Sequence, residues 1–268
     1  MKGRGLYAYA VGYLVFLYAP VLLLPLFAFN DSTVIAFPLQ GFTTRWFADL
    51  AGIKALHDAV LNSLMIAVST AILATCLGVF AARASARFAF PGKKGIMGLI
   101  MLPLVLPEII VAVSLLVVLL QLGINLGAWT VILGHVLLCT PFAIAILNAA
   151  FLALDESMEE ASLDLGETRW STFRLITLPL VMPGIISSLL ISFTISLDEF
   201  IIAFFLTGNE PTLPVYLWSQ LRFPQKIPIV MALGTIMLVL SLLLLSLAEY
   251  SRRRGVARTG RKDSGGFL

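Results

Sequence analysis

The sequence predicts an all-α membrane protein of six transmembrane helices with both termini cytoplasmic, and three observations carry that prediction. Of its 268 residues, 59% are hydrophobic and only 12% charged. A soluble domain cannot cover that much apolar surface, so the bilayer is the solvent. Six apolar runs, near 8–29, 59–82, 96–121, 128–150, 184–206 and 229–249, each reach the ~20 helical residues that a hydrocarbon core requires. Finally, fourteen of the eighteen Lys and Arg fall on one side of the resulting topology. They are Lys2 and Arg4, Arg83, Arg87, Lys93 and Lys94, Arg169 and Arg174, and a C-terminal group from Arg252 to Lys262. The positive-inside rule makes that side cytoplasmic, and the acids of the 151–183 loop weigh little against it. The formal charge of +3 is therefore a statement about topology, not a nucleic-acid signature.

The first run follows Met1-Lys2-Gly3-Arg4 and continues to Phe29. It is longer than a cleaved signal core of ~7–15 residues and no small-residue cleavage site follows, so it reads as the first span. Pro20 and Pro25 are expected to bend it. The outer loop at 30–58 carries Phe42, Trp46 and Phe47 beside Arg45 and Asp49, the composition of an interfacial amphipathic segment. In the third run, Pro103 and Pro107 precede Glu108, and a doubly bent helix there is tolerated where helices line a cavity. The 207–228 loop holds four prolines and reads as a stiff outer connection, whereas the basic tail, 250–268, reads as disordered near lipid headgroups. Cys76 and Cys139 both sit in apolar runs and read as small buried residues.

Four ionisable residues fall inside spans: Glu108, His135, Asp198 and Glu199. Such groups face a protein interior or a wet path. His135 reads as a hydrogen-bonded packing residue. Asp198 and Glu199, ~100° apart on a helix, cannot both point at one place. One of them can line a path while the other pairs with a donor on a neighbouring helix. Carboxylates without an intramembrane Lys or Arg favour a cationic solute, so Glu108, Asp198 and Glu199 are the translocation-path candidates.

The most polar interruption of the chain is Glu160–Pro179, EASLDLGETRWSTFRLITLP, preceded by Asp155, Glu156 and Glu159. Helical spacing from Met158 ends at Gly166, a helix breaker. A second short helix is expected after Glu167, capped by Thr168, with Trp170 and Phe173 on one face. Pro179 and Pro183 are expected to close the unit. A helix–glycine–helix hairpin with small residues and aromatics reads as a docking element, the plainer alternative being an ordinary helical loop.

The spacing Glu160-Ala161-Ser162, three residues, Gly166, nine residues, Ile176-Thr177-Leu178-Pro179 resembles the EAA loop of ATP-binding-cassette (ABC) importer permeases. It departs from that pattern only at Ser162, where alanine is preferred. Further runs, Gly41-Phe42-Thr43-Thr44-Arg45-Trp46, Pro107-Glu108-Ile109, Ser196-Leu197-Asp198-Glu199-Phe200, Leu206-Thr207-Gly208 and Thr212-Leu213-Pro214-Val215, are similar to the spermidine/putrescine branch of that family. The resemblance implies a type I importer permease fold in the bacterial inner membrane. It also implies a homologous second permease, two copies of an ABC ATPase that carry the ATP and Mg, and an extracytoplasmic polyamine-binding protein. Coupling to the ATPase would run through Glu160, Ala161, Ser162, Asp164, Gly166, Ile176, Leu178 and Pro179, within a 155–179 loop. The chain has no Gly-x4-Gly-Lys-Ser/Thr loop and no nucleophile–base or metal spacing. Catalysis and bound cofactors are therefore not expected of it. Alternatives are the same permease role for iron, phosphonate, thiamine, an opine or another amine, and a secondary transporter or channel for an organic cation.

Overall fold

The computed structural model describes residues 2–258. Their regular structure is helical, the one β feature among them being an isolated bridge between Asn30 and Phe42. The described residues form two compact units, residues 2–58 with 216–241 and residues 59–215 with 242–258. In the first unit, α1 (Lys2–Ala28) is exposed along most of its length and seats only Phe27 and Ala28 in the protein. The loop after it is folded. Trp46, in the short α2 (Arg45–Leu50), is buried, donates its indole N–H to the Asn30 carbonyl at 2.8 Å, and lies under the Arg45 guanidinium. Arg45 in turn pairs with Asp31 at 3.0 Å.

The second unit holds the core. It comprises most of α3 (Lys54–Arg87), then α4 (Lys93–Met101), α5 (Glu108–Gln121), α6 (Ala128–Ala153), α7 (Glu156–Asp164), α8 (Arg169–Thr172), α9 (Leu178–Asp198) and α10 (Ile201–Leu206). The short α11 (Leu213–Gln220) and the long α12 (Ile227–Arg258) follow in sequence, each divided between the two units. α6 packs along α9, and α10 packs on α5 and α6. One apolar cluster joins Ile66, Ala112, Leu119, Val131, Ile132 and Leu138 to Ile202, Ala203 and Leu206. A second joins Ala82, Leu147 and Phe151 to Phe173 and Val181. Small residues let these helices approach: a Cβ on Gly184 would stand 2.6 Å from the Ala150 Cβ, and one on Gly134 would stand 2.4 Å from Ile202 Cγ2. Close approach of this kind replaces the hydrophobic drive that lipid does not supply.

Among the described residues, five helices are long and apolar enough to cross a membrane, in Gly5–Ala28, Lys54–Arg87, Ala128–Ala153, Arg169–Asp198 and Pro224–Ser251. The run expected as a third span bent at its prolines, 96–121, is two helices, Lys93–Leu104 and Glu108–Gln121, at 101°. Pro107 sits in the extended region with ψ 128°, and its ring disfavours helix at the residue before it, so the chain leaves one helix and starts another. The fifth run departs from expectation at both ends. Pro179 and Pro183 do not close the preceding unit. The helix runs on from α8 through a π-helical turn, Phe173–Thr177, into α9. Prolines at 179 and 183 remove two donors from the i to i−4 ladder, and a wider turn next to them accommodates the loss. At its other end the run is broken at Glu199. Residues 250–258 also differ from the disordered tail expected, since they prolong α12. Arg261 and Lys262, counted with that tail, lie outside the described residues. Cys139 is buried but Cys76 is exposed, because α3 turns Ala74, Thr75 and Gly78 inward at that level and Cys76 the other way.

Candidate functional site

The polar interruption folds as a helical hairpin. Asp155 caps α7 by accepting the Ser157 N–H at 3.0 Å, and four acidic residues in 155–160 favour the N-terminal, positive end of the helix dipole. α7 stops in a paired bonding pattern in which Gly166 N–H reaches the Leu163 carbonyl and Glu167 N–H the Ser162 carbonyl. That closure needs a left-handed residue, and Gly166 supplies φ +89°. Thr168 then caps α8 through the Ser171 N–H at 3.2 Å.

The inner side of the hairpin is fastened to the rest of the unit by polar contacts. Ser162 is buried and shares a 3.0 Å hydrogen bond with the Thr172 hydroxyl, which ties α7 to α8. The hydroxyl that distinguishes this position from alanine thus has a structural partner. Arg87, the last residue of α3, reaches into α7 with all three guanidinium nitrogens. Nε meets Glu159 at 2.9 Å, Nη1 meets Glu156 at 2.9 Å and Nη2 donates to the Leu154 carbonyl at 3.1 Å. Glu159 also accepts the Thr177 hydroxyl at 2.5 Å. Arg83, one turn earlier on α3, stacks 4.1 Å over the Phe173 ring, and Trp170 leans on that ring at 5.8 Å between centroids.

The outer side is open. Glu160, Ala161, Asp164, Gly166 and Pro179 are exposed, and Ile176 and Leu178 are half-buried. Between the acids stand two large apolar side chains, Leu165, 86% exposed, and Trp170, 66% exposed. These two side chains form uncovered apolar surface on an otherwise charged hairpin. The structure therefore brings the sequence candidates onto one hairpin but divides them, with Ser162 sealed inside and Glu160, Ala161, Asp164 and Gly166 outside. Sequence reasoning missed Arg87, Glu159 and Thr177. Arg87 had entered only as a topological charge, and its partners are about seventy residues away.

The three carboxylate candidates also separate. Glu108 is exposed, in the first turn of α5 directly after Pro107, where an acid meets the positive helix end. Asp198, the last residue of α9, is exposed, whereas Glu199 is buried. Glu199 has left the helix, with ψ 125°, and its carboxylate turns back to accept the backbone N–H of Ile202 at 3.0 Å and of Ala203 at 3.1 Å. His135 Nε2 stands 3.1 Å from the same carboxylate, without the alignment of a hydrogen bond, while Nδ1 bonds the Ser196 hydroxyl at 2.7 Å. Glu199 is thus sealed inside, while Glu108 and Asp198 are exposed.

Comparison with known proteins shows the family. Residues 74–255 match the family described as binding-protein-dependent transport system inner membrane component. The spermidine/putrescine transport system permease protein PotC of Shigella flexneri is 35% identical over 252 residues, covering 94% of this chain and 93% of that protein. The putrescine transport system permease protein PotI of Escherichia coli strain K12 is 37% identical over 262 residues, 92% of each chain. In fold, the chain resembles one from the crystal structure of a bacterial alginate ABC transporter in complex with an alginate pentasaccharide-bound periplasmic protein. That match has a TM-score of 0.70 at 20% identity and covers 94% of both chains. The chain belongs to the family of binding-protein-dependent transport system inner membrane components, the membrane-embedded permeases of ABC importers.

Proposed function

We propose that this permease carries a polyamine, spermidine or putrescine, across the bacterial inner membrane by alternating access. The observation that carries the solute assignment is the identity of more than one third to two polyamine permeases over nine-tenths of the chain. In this reading the helix pair bent by 101° counts as one span. Six spans then put both termini, and the Arg87-anchored hairpin, on the cytoplasmic side, in accord with the Lys and Arg distribution. A homologous permease completes the pathway, and two ATPase copies bind ATP and Mg. An extracytoplasmic polyamine-binding protein delivers the solute. The exposed face around Glu160, Ala161, Asp164, Gly166, Leu165 and Trp170 docks the ATPase, and the fastened inner face carries its motion to α3 and α9. ATP binding favours one orientation of the spans and hydrolysis releases it, so the solute site opens alternately to the two sides.

The test is co-expression with the neighbouring transporter genes, purification, and ATPase measurement in lipid discs. A complex containing ATPase whose turnover rises when the putrescine-loaded binding protein is added is expected. No complex with any ATPase would overturn the permease assembly, and an active complex indifferent to putrescine and spermidine would overturn the solute.

A further inference from the structure

The first unit contains a partly enclosed recess of about 150 Å³. Its body is aliphatic, built from Leu50, Ile53 and Leu56 together with Ile229, Val230 and Leu233 of α12. An apolar cavity of about this size stays dry and admits a guest of about six carbons. Leu56 lies in the first turn of the apolar helix Lys54–Arg87, and Ile229 and Val230 lie near the start of Pro224–Ser251. Two spans thus begin at the recess, which places it where hydrocarbon gives way to headgroups. Along α12, Ile236 and Leu240 follow Ile229 and Leu233 at helical spacing and are exposed. The apolar wall therefore continues from the recess toward the hydrocarbon.

The other end of the recess is polar and ordered. Lys226 is exposed, donates to the Gln220 side-chain carbonyl at 2.8 Å, and stands 5.1 Å from the centre of the Phe223 ring. The Gln220 amide donates in turn to the Ser219 hydroxyl at 3.0 Å, and that hydroxyl to the Tyr216 backbone carbonyl at 2.6 Å. This relay holds the ammonium at the mouth and leaves it donors for an anion. No acid lies among the residues that line the recess.

These features select one class of occupant. A peptide backbone brings N–H and C=O groups that aliphatic walls cannot satisfy. A polyamine brings positive charge against Lys226. A phospholipid brings an acyl chain for the recess and the face of α12, and a phosphate for the ammonium. We propose that the recess holds the glycerol-proximal part of one acyl chain of an anionic phospholipid, with the lipid phosphate on Lys226. The proposal does not depend on which solute the permease carries.

Photolabelling of the assembled, delipidated transporter in detergent tests it. The probe is phosphatidylglycerol with a photoactivatable diazirine on an acyl carbon near the glycerol, and peptide mass spectrometry maps the adducts. Adducts at Leu56 and within residues 229–233 are expected. Unlabelled phosphatidylglycerol should displace them at a concentration roughly fivefold lower than phosphatidylcholine, the size of one lysine–anion contact at a membrane surface. Lys226→Gln should lower these adducts by the same factor, roughly fivefold, while adducts on the exposed face of α1 stay constant. Lys226→Arg, which keeps the charge, should stay within about twofold of the parent. Val230→Phe, which fills the recess, should abolish them; because Lys226 is exposed, its variants test the proposal even if Val230→Phe fails to fold. Recess adducts unchanged by Lys226→Gln, or displaced equally by the two lipids, overturn the anionic lipid. A recess without adducts beside a labelled α1 overturns the site and points to another subunit as its cover.

Discussion

Arg87→Ala is the perturbation whose size the structure defines best. The guanidinium is 9% exposed and Glu159 15%, so their 2.9 Å contact is largely desolvated, whereas Glu156 is 65% exposed. Removing one partner of a buried pair costs about 3–5 kcal/mol because the other charge stays buried. The contact to Glu156 adds about 0–1 kcal/mol, as exposed pairs do. Glu159 keeps the Thr177 hydroxyl, which offsets part of the loss, so the lower end, about 3 kcal/mol, is the expected weakening of the α7 attachment. At about 1.4 kcal/mol per decade this corresponds to roughly 100-fold more frequent local opening. Hydrogen exchange read by mass spectrometry on the purified complex should show it in the amides of 158–167, with exchange in the α6–α9 core unchanged. Arg87→Lys should lie between, because an ammonium cannot reproduce the fork to Glu156, Glu159 and the Leu154 carbonyl. Unaltered exchange across α7 in Arg87→Ala would refute the claim that this arginine fastens the hairpin.

Gly166→Val forces a β-branched residue to φ +89° at a place where a Cβ meets nothing within 4 Å. The cost is therefore backbone strain of about 1–3 kcal/mol, and uptake should fall while ATPase activity and assembly persist. Unchanged uptake would remove Gly166 from the coupling account. Gly134→Ala places a methyl 2.4 Å from Ile202 Cγ2 and 3.1 Å from Leu206 Cδ1, an overpacking expected to cost about 1–3 kcal/mol. A lower melting temperature in detergent is the expected outcome, and an unshifted one would contradict the packing described. Glu160→Lys reverses an exposed charge on the docking face and should reduce co-purification of the ATPase at unchanged expression. A wild-type-like complex would show that the face does not depend on Glu160.

Features carried by local sequence were legible. The end of α7 at Gly166 and the Thr168 cap follow from nearest-neighbour chemistry, and the helices at 128–153 and 54–87 follow from apolar length. The hairpin's family spacing was readable for the same reason, being confined to twenty residues. What was not legible depends on residues distant in sequence. Pro107 signalled a bend, but not one of 101°, because its size is set by the packing of α4 and α5 in the fold. The break at Glu199 has no proline or glycine to mark it; it arises from a carboxylate that a histidine sixty-four residues earlier holds in place. Pro179, which reads as a stop, instead lies in a continuous helix, where the π-helical turn before it accommodates its missing donor. Arg87 was legible as a charge and not as a contact, since topology rules count cations without saying what they touch.

The most direct test of the account is uptake of radiolabelled putrescine and spermidine by cells that lack polyamine import and express this chain with its neighbouring transporter genes, scored against an ATPase-dead control. ATP-dependent accumulation of either polyamine, lost in the control, is the predicted result. An assembled, ATPase-active transporter that accumulates neither would contradict the assignment of a polyamine to this permease.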